Sequence, residues 1–341
     1  MGLLGKGKKA TWIGDSEGAY DFYLGEDIDG DSSRNSWCWN DLLVYCGTNG
    51  SHYILRDYSN KCDGNRQDAE LVMESGDIVY VHDEEFSFYI FDKGIMANDT
   101  ILHVQVDDDL WFYNPENGHS YVLEGSRKIE PRTFAAPRLA GTDPERGFFY
   151  RTGEYKFKFV FHGEEHSASA VAQMSDDDVI LYIPAADRQF VVRGGMKMKL
   201  NSWHEDSFSN PANVPVFRKI GAASYNLFDM GKNRSGQCKA VKIGENTIVF
   251  DPEKTMNYWI ENGSNLEDGA YHDATPFAPG CRVLWFRTTG GHRIYFETED
   301  ITRQAQLQRY ENNAILMHEK SMSMFQLENF YSITDGIVRG I

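Results

Sequence analysis

The sequence is short of basic residues. Its 341 residues include 34 Lys and Arg against 51 Asp and Glu, which gives a formal net charge of −17 at pH 7. A broad nucleic-acid-binding surface needs clustered Lys and Arg to neutralise phosphates, so this class of partner is disfavoured. An acidic balance instead suits solubility, cation binding or a basic protein partner.

Cysteines and long apolar runs are also scarce. The five cysteines are odd in number and form no C-x-x-C pair, so neither a zinc ribbon nor a full disulfide framework is indicated, and we expect free buried thiols. No apolar run approaches the roughly 18 residues of a membrane span, and there is no signal-peptide core. We therefore expect a protein that has no membrane span and is synthesised in the cytoplasm. Incorporation into a virion is compatible with this expectation.

Aromatic and apolar residues are plentiful, at 13% and 41% of the chain, which predicts a substantial core. Residues 100–125, TILHVQVDDDLWFYNPENGHSYVLEG, read as strand, acidic turn, strand, Pro-Glu-Asn-Gly turn and strand. Residues 168–194 and 237–262 follow a similar plan, with an apolar strand and a Pro-containing turn in the same places. Shorter hairpins are predicted between these segments.

The last apolar residues of eight predicted hairpins are regularly spaced. They are Leu55, Phe91, Leu123, Phe161, Val192, Phe228, Ile260 and Phe296. Neighbours are about 36, 32, 38, 31, 36, 32 and 36 residues apart, which is typical of repeat architectures. Because long and short steps alternate, the underlying unit is predicted to be a pair of hairpins of roughly 68 residues.

An acidic loop near the N-terminus is the candidate metal site. Asp27, Asp29 and Asp31 surround Gly30 in the pattern D-x-D-G-D, and alternating carboxylates of this kind can hold calcium through oxygen ligands. The segment resembles the calcium loops of FG-GAP-type propeller repeats, in which an Asp-Leu-Leu-Val-like strand follows. Here residues 32–39 separate the loop from that strand, and the later repeats do not keep the pattern. The alternative is a solvated acidic loop.

Two further motifs carry potential chemistry. His162 to His166 match H-x-x-E-H, a zinc-protease signature that requires a helix. The motif directly follows a predicted strand and contains Gly163, so we expect no zinc helix there. The triplets at 107–109 and 176–178 could suggest paired catalytic carboxylates, but both fall where hairpin turns are predicted.

The pattern changes near the C-terminus. Asp300 is predicted to cap a helix over residues 301–330, because that segment lacks Pro and Gly. Leu307, Tyr310, Ala314 and Met317 lie at helical three- and four-residue spacing. We therefore predict an N-terminal arm with the acidic loop at 1–41, a repeated β-hairpin domain at 42–298, and a C-terminal helix and tail at 299–341.

These observations predict a mainly β protein of about eight repeated hairpins with one C-terminal α-helix, arranged as a propeller-like ring or as stacked sheets. The favoured function is a non-enzymatic structural or interaction protein, a subunit of a larger homo- or hetero-oligomeric assembly such as a virion or a surface machine. One alternative is a carbohydrate-binding or glycan-cleaving propeller. Another is an adhesion module that uses calcium at Asp27, Asp29 and Asp31. No other cofactor and no catalytic residue is indicated.

Overall fold

A computed structural model shows a chain that is 52% strand and 4% helix. It describes residues 9–17, 19–25, 27–28, 34–83, 87–222, 224–288, 291–303, 305–310, 313–318, 321–326, 331–334 and 337–340. The predicted fold class is confirmed, because the described sheets are small, antiparallel and mostly four-stranded, and fit a propeller-like or stacked-sheet architecture.

The strands repeat in groups of eight. The first group is β1 (Ala10–Gly14), β2 (Tyr20–Leu24), β3 (Asp27–Ile28), β4 (Arg34–Cys38), β5 (Asp41–Cys46), β6 (Ser51–Leu55), β7 (Arg66–Asp68) and β8 (Glu70–Met73). The second is β9 (Ile78–His82), β10 (Phe88–Asp92), β11 (Ile95–Met96), β12 (Leu102–Val106), β13 (Asp109–Asn114), β14 (His119–Leu123), β15 (Phe134–Ala135) and β16 (Arg138–Gly141).

Three further groups follow. The third is β17 (Phe148–Arg151), β18 (Phe157–Phe161), β19 (Glu164–Glu165), β20 (Val171–Ser175), β21 (Asp178–Ile183), β22 (Arg188–Val192), β23 (Trp203–Glu205) and β24 (Phe208–Pro211). The fourth is β25 (Val216–Lys219), β26 (Tyr225–Asp229), β27 (Lys232–Asn233), β28 (Lys239–Ile243), β29 (Asn246–Asp251), β30 (Met256–Ile260), β31 (Tyr271–Asp273) and β32 (Thr275–Phe277). The fifth is β33 (Val283–Thr288), β34 (Gly291–Phe296), β35 (Glu299–Asp300), β36 (Ala305–Tyr310), β37 (Asn313–His318), β38 (Ser321–Gln326), β39 (Tyr331–Thr334) and β40 (Ile337–Gly340).

The groups begin at residues 10, 78, 148, 216 and 283, so the repeat is 67 to 70 residues long. This confirms the predicted pairing of hairpins. In the first repeat, a hairpin sheet has the order β3-β2-β1-β7 and a meander sheet has the order β4-β5-β6-β8. The second and fourth repeats have the same two orders. In these repeats the seventh strand therefore joins the hairpin sheet, and the eighth strand joins the meander sheet.

The chain forms two compact units, one of residues 1–147 with 159–165 and the other of residues 148–158 with 166–341. In the first unit, sheets bury both faces. Leu42 and Val44 of β5 pack with Trp12 of the hairpin sheet, whereas Leu43 packs with Phe91 of the next repeat. Because both faces are buried, β5 is a nearly continuous apolar run, and each such side chain contributes roughly 2 kcal/mol. In the second unit, β29 does the same through Ile248 and Val249.

Helical structure in the described part of the chain is limited to 3-10 turns at Tyr58–Asn60, Ser126–Lys128, Pro184–Ala186 and Gly195–Lys197. None of them is long or apolar enough to cross a membrane. None of the five cysteines forms a disulfide; Cys38 and Cys46 are buried as expected, whereas Cys62, Cys238 and Cys281 are only partly buried. Burial, reinforced by Asp41 and Asp83, raises the pKa of Cys38 to about 12, so this thiol is not a ready nucleophile.

The predicted C-terminal helix is wrong. The described residues between 305 and 326 form the antiparallel strands β36, β37 and β38, with Tyr310 paired to Asn313 and His318 paired to Ser321. β36 starts 66 residues after β28, so the repeat period, rather than helix propensity, sets the structure here. The domain boundaries after residues 41 and 298 stay predictions, although strands also lie on both sides of each.

Candidate functional site

The predicted calcium loop is mostly outside the described residues. Asp29 and Asp31 lie there, whereas Asp27 begins β3, where its backbone pairs with Leu24. The calcium site therefore stays a prediction. Among the residues that the structure describes, no group of three or more His, Cys, Asp or Glu side chains is placed to hold a metal ion.

The H-x-x-E-H motif is a turn followed by a strand. His162 and Gly163 have φ angles of 48° and 73° and connect β18 to β19, which Glu164 and Glu165 form. The His162 ring stacks on Tyr113 with centroids 4.2 Å apart, and its Nε2 lies 2.7 Å from the Pro144 carbonyl oxygen. The motif thus follows a strand, as predicted, and has the geometry of a tight hairpin turn.

The acidic triplets also lie in hairpin turns, as predicted. Asp107 and Asp176 have φ angles of 53° and 55°, and the third residue of each triplet begins a strand. Asp109 Oδ1 accepts a 2.9 Å hydrogen bond from the Gly125 backbone N–H. The first, third and fourth repeats contain the same contact sixteen residues apart: Asp41 with Asp57, Asp178 with Gly194 and Asn246 with Asn262. This contact was not predicted from the sequence. It shows that the Asp or Asn at this position stabilises the repeated fold.

One of these aspartates belongs to a charge cluster around the buried Arg218 in the second unit, in which Asp178 is partly buried and Asp176 is exposed. Arg218 donates to Asp176 at 2.7 Å and lies 3.4 Å from Asp178, and the Tyr271 hydroxyl donates to Asp178 at 2.7 Å. Burial, and then the hydrogen bond to Asp178, raises the pKa of Tyr271. Arg218 also donates to Ser175 Oγ at 3.0 Å. The cluster ties β25 and β31 of the fourth repeat to β21 of the third, so its carboxylates serve packing.

A second contact between consecutive repeats is a buried hydrogen bond. The Gly94 N–H donates to His52 Nε2 at 3.1 Å, and a Cβ on Gly94 would lie 2.8 Å from the Tyr45 Cβ. Burial lowers the pKa of His52 to about 4. In the second unit, Gly231 donates to Gln189 Oε1 at 3.2 Å beside Tyr182. His52 and Gln189 thus have the same role, as hydrogen-bond acceptors for a turn of the next repeat.

Large apolar side chains are exposed on two neighbouring edge strands of the first unit. Trp37 of β4 is 53% exposed, and Ile95 and Met96 of β11 are 48% and 47% exposed. The two strands lie side by side, at the edges of the first meander sheet and the second hairpin sheet. The Trp37 ring packs edge-on against Tyr58 at 5.2 Å, so its position is fixed. We call these three side chains the apolar edge patch.

Two clefts in the second unit occupy the same place in consecutive repeats. The third-repeat cleft has a volume of about 90 Å³ and the fourth-repeat cleft about 160 Å³. Nine lining positions correspond at a step of 68 residues, among them Phe149 with Phe217, Arg151 with Lys219, Phe157 with Tyr225 and Met174 with Lys242. The clefts could not be predicted from the sequence, because they form where the hairpin sheet meets the first strand of the meander sheet.

Comparisons with known proteins give no family. No protein-family model and no curated protein matches the chain. Among solved structures, Kluyveromyces lactis Hsv2 with a complete loop 6CD is 11% identical over 74% of this chain and 87% of that chain, with a TM-score of 0.16. Another Kluyveromyces lactis Hsv2 structure is 12% identical over 92% of both chains, with a TM-score of 0.15. Hsv2 of Kluyveromyces marxianus is 12% identical over 74% and 92%, with a TM-score of 0.14. Likeness at this level carries no information on function.

Proposed function

We propose that this protein is a non-enzymatic interaction protein that serves as a subunit of a larger protein assembly. The observation that carries the proposal is the apolar edge patch. Large apolar side chains exposed on adjacent edge strands are candidate interaction sites, and tryptophan is enriched among the residues that contribute most binding energy. Trp37 is held by Tyr58, so it is ordered before any partner binds, and this reduces the entropic cost of association.

The framework supports the same role. The repeated aspartates accept backbone hydrogen bonds, and Asp178 also accepts from Tyr271. These carboxylates therefore stabilise a repeated scaffold on which edge strands are displayed. A net charge of −17 makes two copies repel at low ionic strength, so we expect self-association through the patch to strengthen with salt, whereas a basic partner would bind more weakly.

The test is the solution mass of the purified chain by light scattering after gel filtration, over a wide concentration range and at low and high salt. We expect a concentration-dependent oligomer that the variant Trp37→Ser, Ile95→Lys loses. Lysine at 95 would face Asp92 across the strand pair, so it is compatible with the fold. The control is Leu200→Lys, since Leu200 is 47% exposed and lies in the other unit.

A chain that is monomeric under every condition would contradict self-assembly, and equal loss in the control variant would contradict the assignment to the patch. Repeating the measurement with calcium and with a chelator tests the adhesion alternative. A calcium-dependent change in mass would support calcium binding by Asp27, Asp29 and Asp31.

A further inference from the structure

The two clefts share an aromatic floor. In the third-repeat cleft the rings of Phe149 and Phe157 stack with centroids 5.4 Å apart at 21°. In the fourth-repeat cleft the rings of Phe217 and Tyr225 stack at 5.6 Å and 14°. A flat apolar floor of this kind favours a ring or a branched aliphatic group.

Each cleft also has a half-buried cation at the same repeat position. Arg151 donates to the carbonyl oxygens of Gly153 and Met198 at 3.1 and 3.0 Å. Lys219 Nζ donates to the carbonyl oxygens of Ser264 and Leu266 at 3.1 and 2.5 Å. Within the described part of the chain, neither cation has a carboxylate within ion-pair distance, although the chain carries 51 acidic residues. Carbonyl oxygens fix each side chain but leave its positive charge uncompensated.

The first unit shows that the repeat does not require a cation here. At the corresponding position of the first repeat stands Gly14, where a Cβ would lie 2.9 Å from Cys62 Sγ, so that space is filled. In the second repeat His82 lies there, with Nδ1 2.6 Å from the Ile129 carbonyl oxygen. A permanent charge beside an open cleft is therefore a feature of the third and fourth repeats.

The lining of the two clefts differs in charge. The described residues that line the fourth-repeat cleft include Lys219 and Lys242 and no carboxylate, whereas Glu154 lines the third-repeat cleft beside Arg151. The fourth-repeat cleft is also the larger of the two. An anion is consequently favoured more strongly in the fourth repeat.

We propose that the clefts bind small carboxylates carried on an apolar group, with the fourth-repeat cleft as the tighter site. The apolar group lies on the Phe217–Tyr225 floor and the carboxylate faces Lys219. A carboxylate fits better than a phosphate, because the lining is mostly apolar and a phosphate requires several donors. The source is either a free metabolite or the C-terminus of a peptide. This binding role is separate from the proposed assembly role.

The experiment titrates the full chain with benzoate and with its neutral analogue benzamide by ligand-observed NMR. A ligand of this size is expected to bind with a Kd on the order of 1 mM. We expect saturable benzoate binding and at least about tenfold weaker benzamide binding, since benzamide cannot form the ion pair. Titrations with a short peptide that ends in phenylalanine, and with its C-terminal amide, distinguish a peptide source from a free carboxylate.

Variants locate the site. Lys219→Met should weaken benzoate binding about tenfold, whereas Lys219→Arg should retain it. Lys232→Met is the matched control for net charge, because Lys232 is exposed on β27 outside the cleft. Ala222→Trp keeps the lysine but occupies the cleft, so loss of binding there excludes a purely long-range charge effect.

Circular dichroism and the melting temperature check that each variant folds. Should Lys219→Met not fold, Lys219→Arg and Ala222→Trp still give opposite expected results. The proposal is overturned by equal binding of benzoate and benzamide, by unchanged benzoate binding in Ala222→Trp, or by absence of saturable binding. Arg151→Met should leave the tighter site unaffected, and loss of that site in this variant would overturn the assignment to the fourth repeat.

Discussion

Replacement of His52 by glutamine should remove a specific part of the pH dependence of stability. His52 is fully buried and accepts the Gly94 N–H at Nε2, so its neutral form fits the fold. Burial lowers the pKa of His52 from 6.5 to about 4, although Asp77 and the Gly76 backbone oppose the shift. In the unfolded chain this histidine binds a proton below about pH 6.5.

The sign and the size follow from that difference. Between about pH 6.5 and pH 4 the unfolded chain binds more protons than the folded one, so stability falls as the pH falls through this window. A shift of about 2.5 units corresponds to roughly 3 kcal/mol once the window has been crossed. About 2 kcal/mol of this difference should appear between pH 7 and pH 5. Above about pH 6.5 His52 contributes no pH dependence.

Glutamine is a suitable replacement because the protein already uses it. Gln189 accepts the Gly231 N–H beside Tyr182, where His52 accepts the Gly94 N–H beside Tyr45. The variant His52→Gln therefore keeps an acceptor at this joint and loses the titrating group. The variant His52→Ala also lacks the titrating group but leaves the Gly94 N–H unsatisfied, so it should be about 1–3 kcal/mol less stable than His52→Gln at every pH.

The assay is denaturant unfolding of the wild type and the two variants at a series of pH values from 4 to 8. Asp92, whose pKa burial raises, contributes equally to all three proteins and cancels in the comparison. We expect the wild type to lose about 2 kcal/mol relative to His52→Gln between pH 7 and pH 5. Identical pH profiles for these two proteins would refute the reasoning, because His52 would then not be held neutral by the fold.

Two further predictions concern the framework. Asp109→Ala removes the acceptor for the Gly125 N–H and should lower the free energy of unfolding by about 1–2 kcal/mol, whereas Asp109→Asn keeps an acceptor and should be nearly neutral in denaturant unfolding. Equal losses would contradict this. Gly94→Ala places a Cβ 2.6 Å from the Arg34 carbonyl oxygen at φ 77° and should lower the unfolding midpoint more than Gly125→Ala, where φ is 66° and no atom lies within 4 Å. In both variants, alanine in the left-handed region lowers the stability by about 1–2 kcal/mol. Only the difference between the two unfolding midpoints therefore reports the clash, and equal midpoints would contradict it.

Much of the fold could be predicted from sequence because local signals and spacing agree. Apolar runs, turn residues and the roughly 68-residue period all indicate the hairpins that the structure contains. The prediction of a C-terminal helix was wrong because the local pattern and the repeat spacing disagree there. Residues such as Leu307 and Tyr310 match helical spacing, but β36 and β37 pair along their length, and pairing with a partner strand is not a local property. The repeat period was the better guide there.

The candidate sites were less accessible from sequence. The turns at Asp107 and Asp176 could be predicted because turn chemistry is local. The contact from Asp109 to Gly125 spans sixteen residues, and the clefts require two sheets to meet, so neither follows from local patterns. A signal was nevertheless present. An aromatic pair eight residues apart recurs as Trp12 and Tyr20, Tyr80 and Phe88, Phe149 and Phe157, and Phe217 and Tyr225.

Comparison of the repeats separates framework from chemistry. The position that begins the second meander strand is Asp or Asn in the first four repeats and always accepts the same backbone N–H, so its identity follows from the fold. The position beside the aromatic floor is instead Gly14, His82, Arg151 and Lys219 in turn. A framework role alone would have kept similar side chains there, as it did at the position that is always Asp or Asn. Its variation from no side chain to a permanent cation, on an otherwise constant scaffold, is what divergence in binding between repeats would produce.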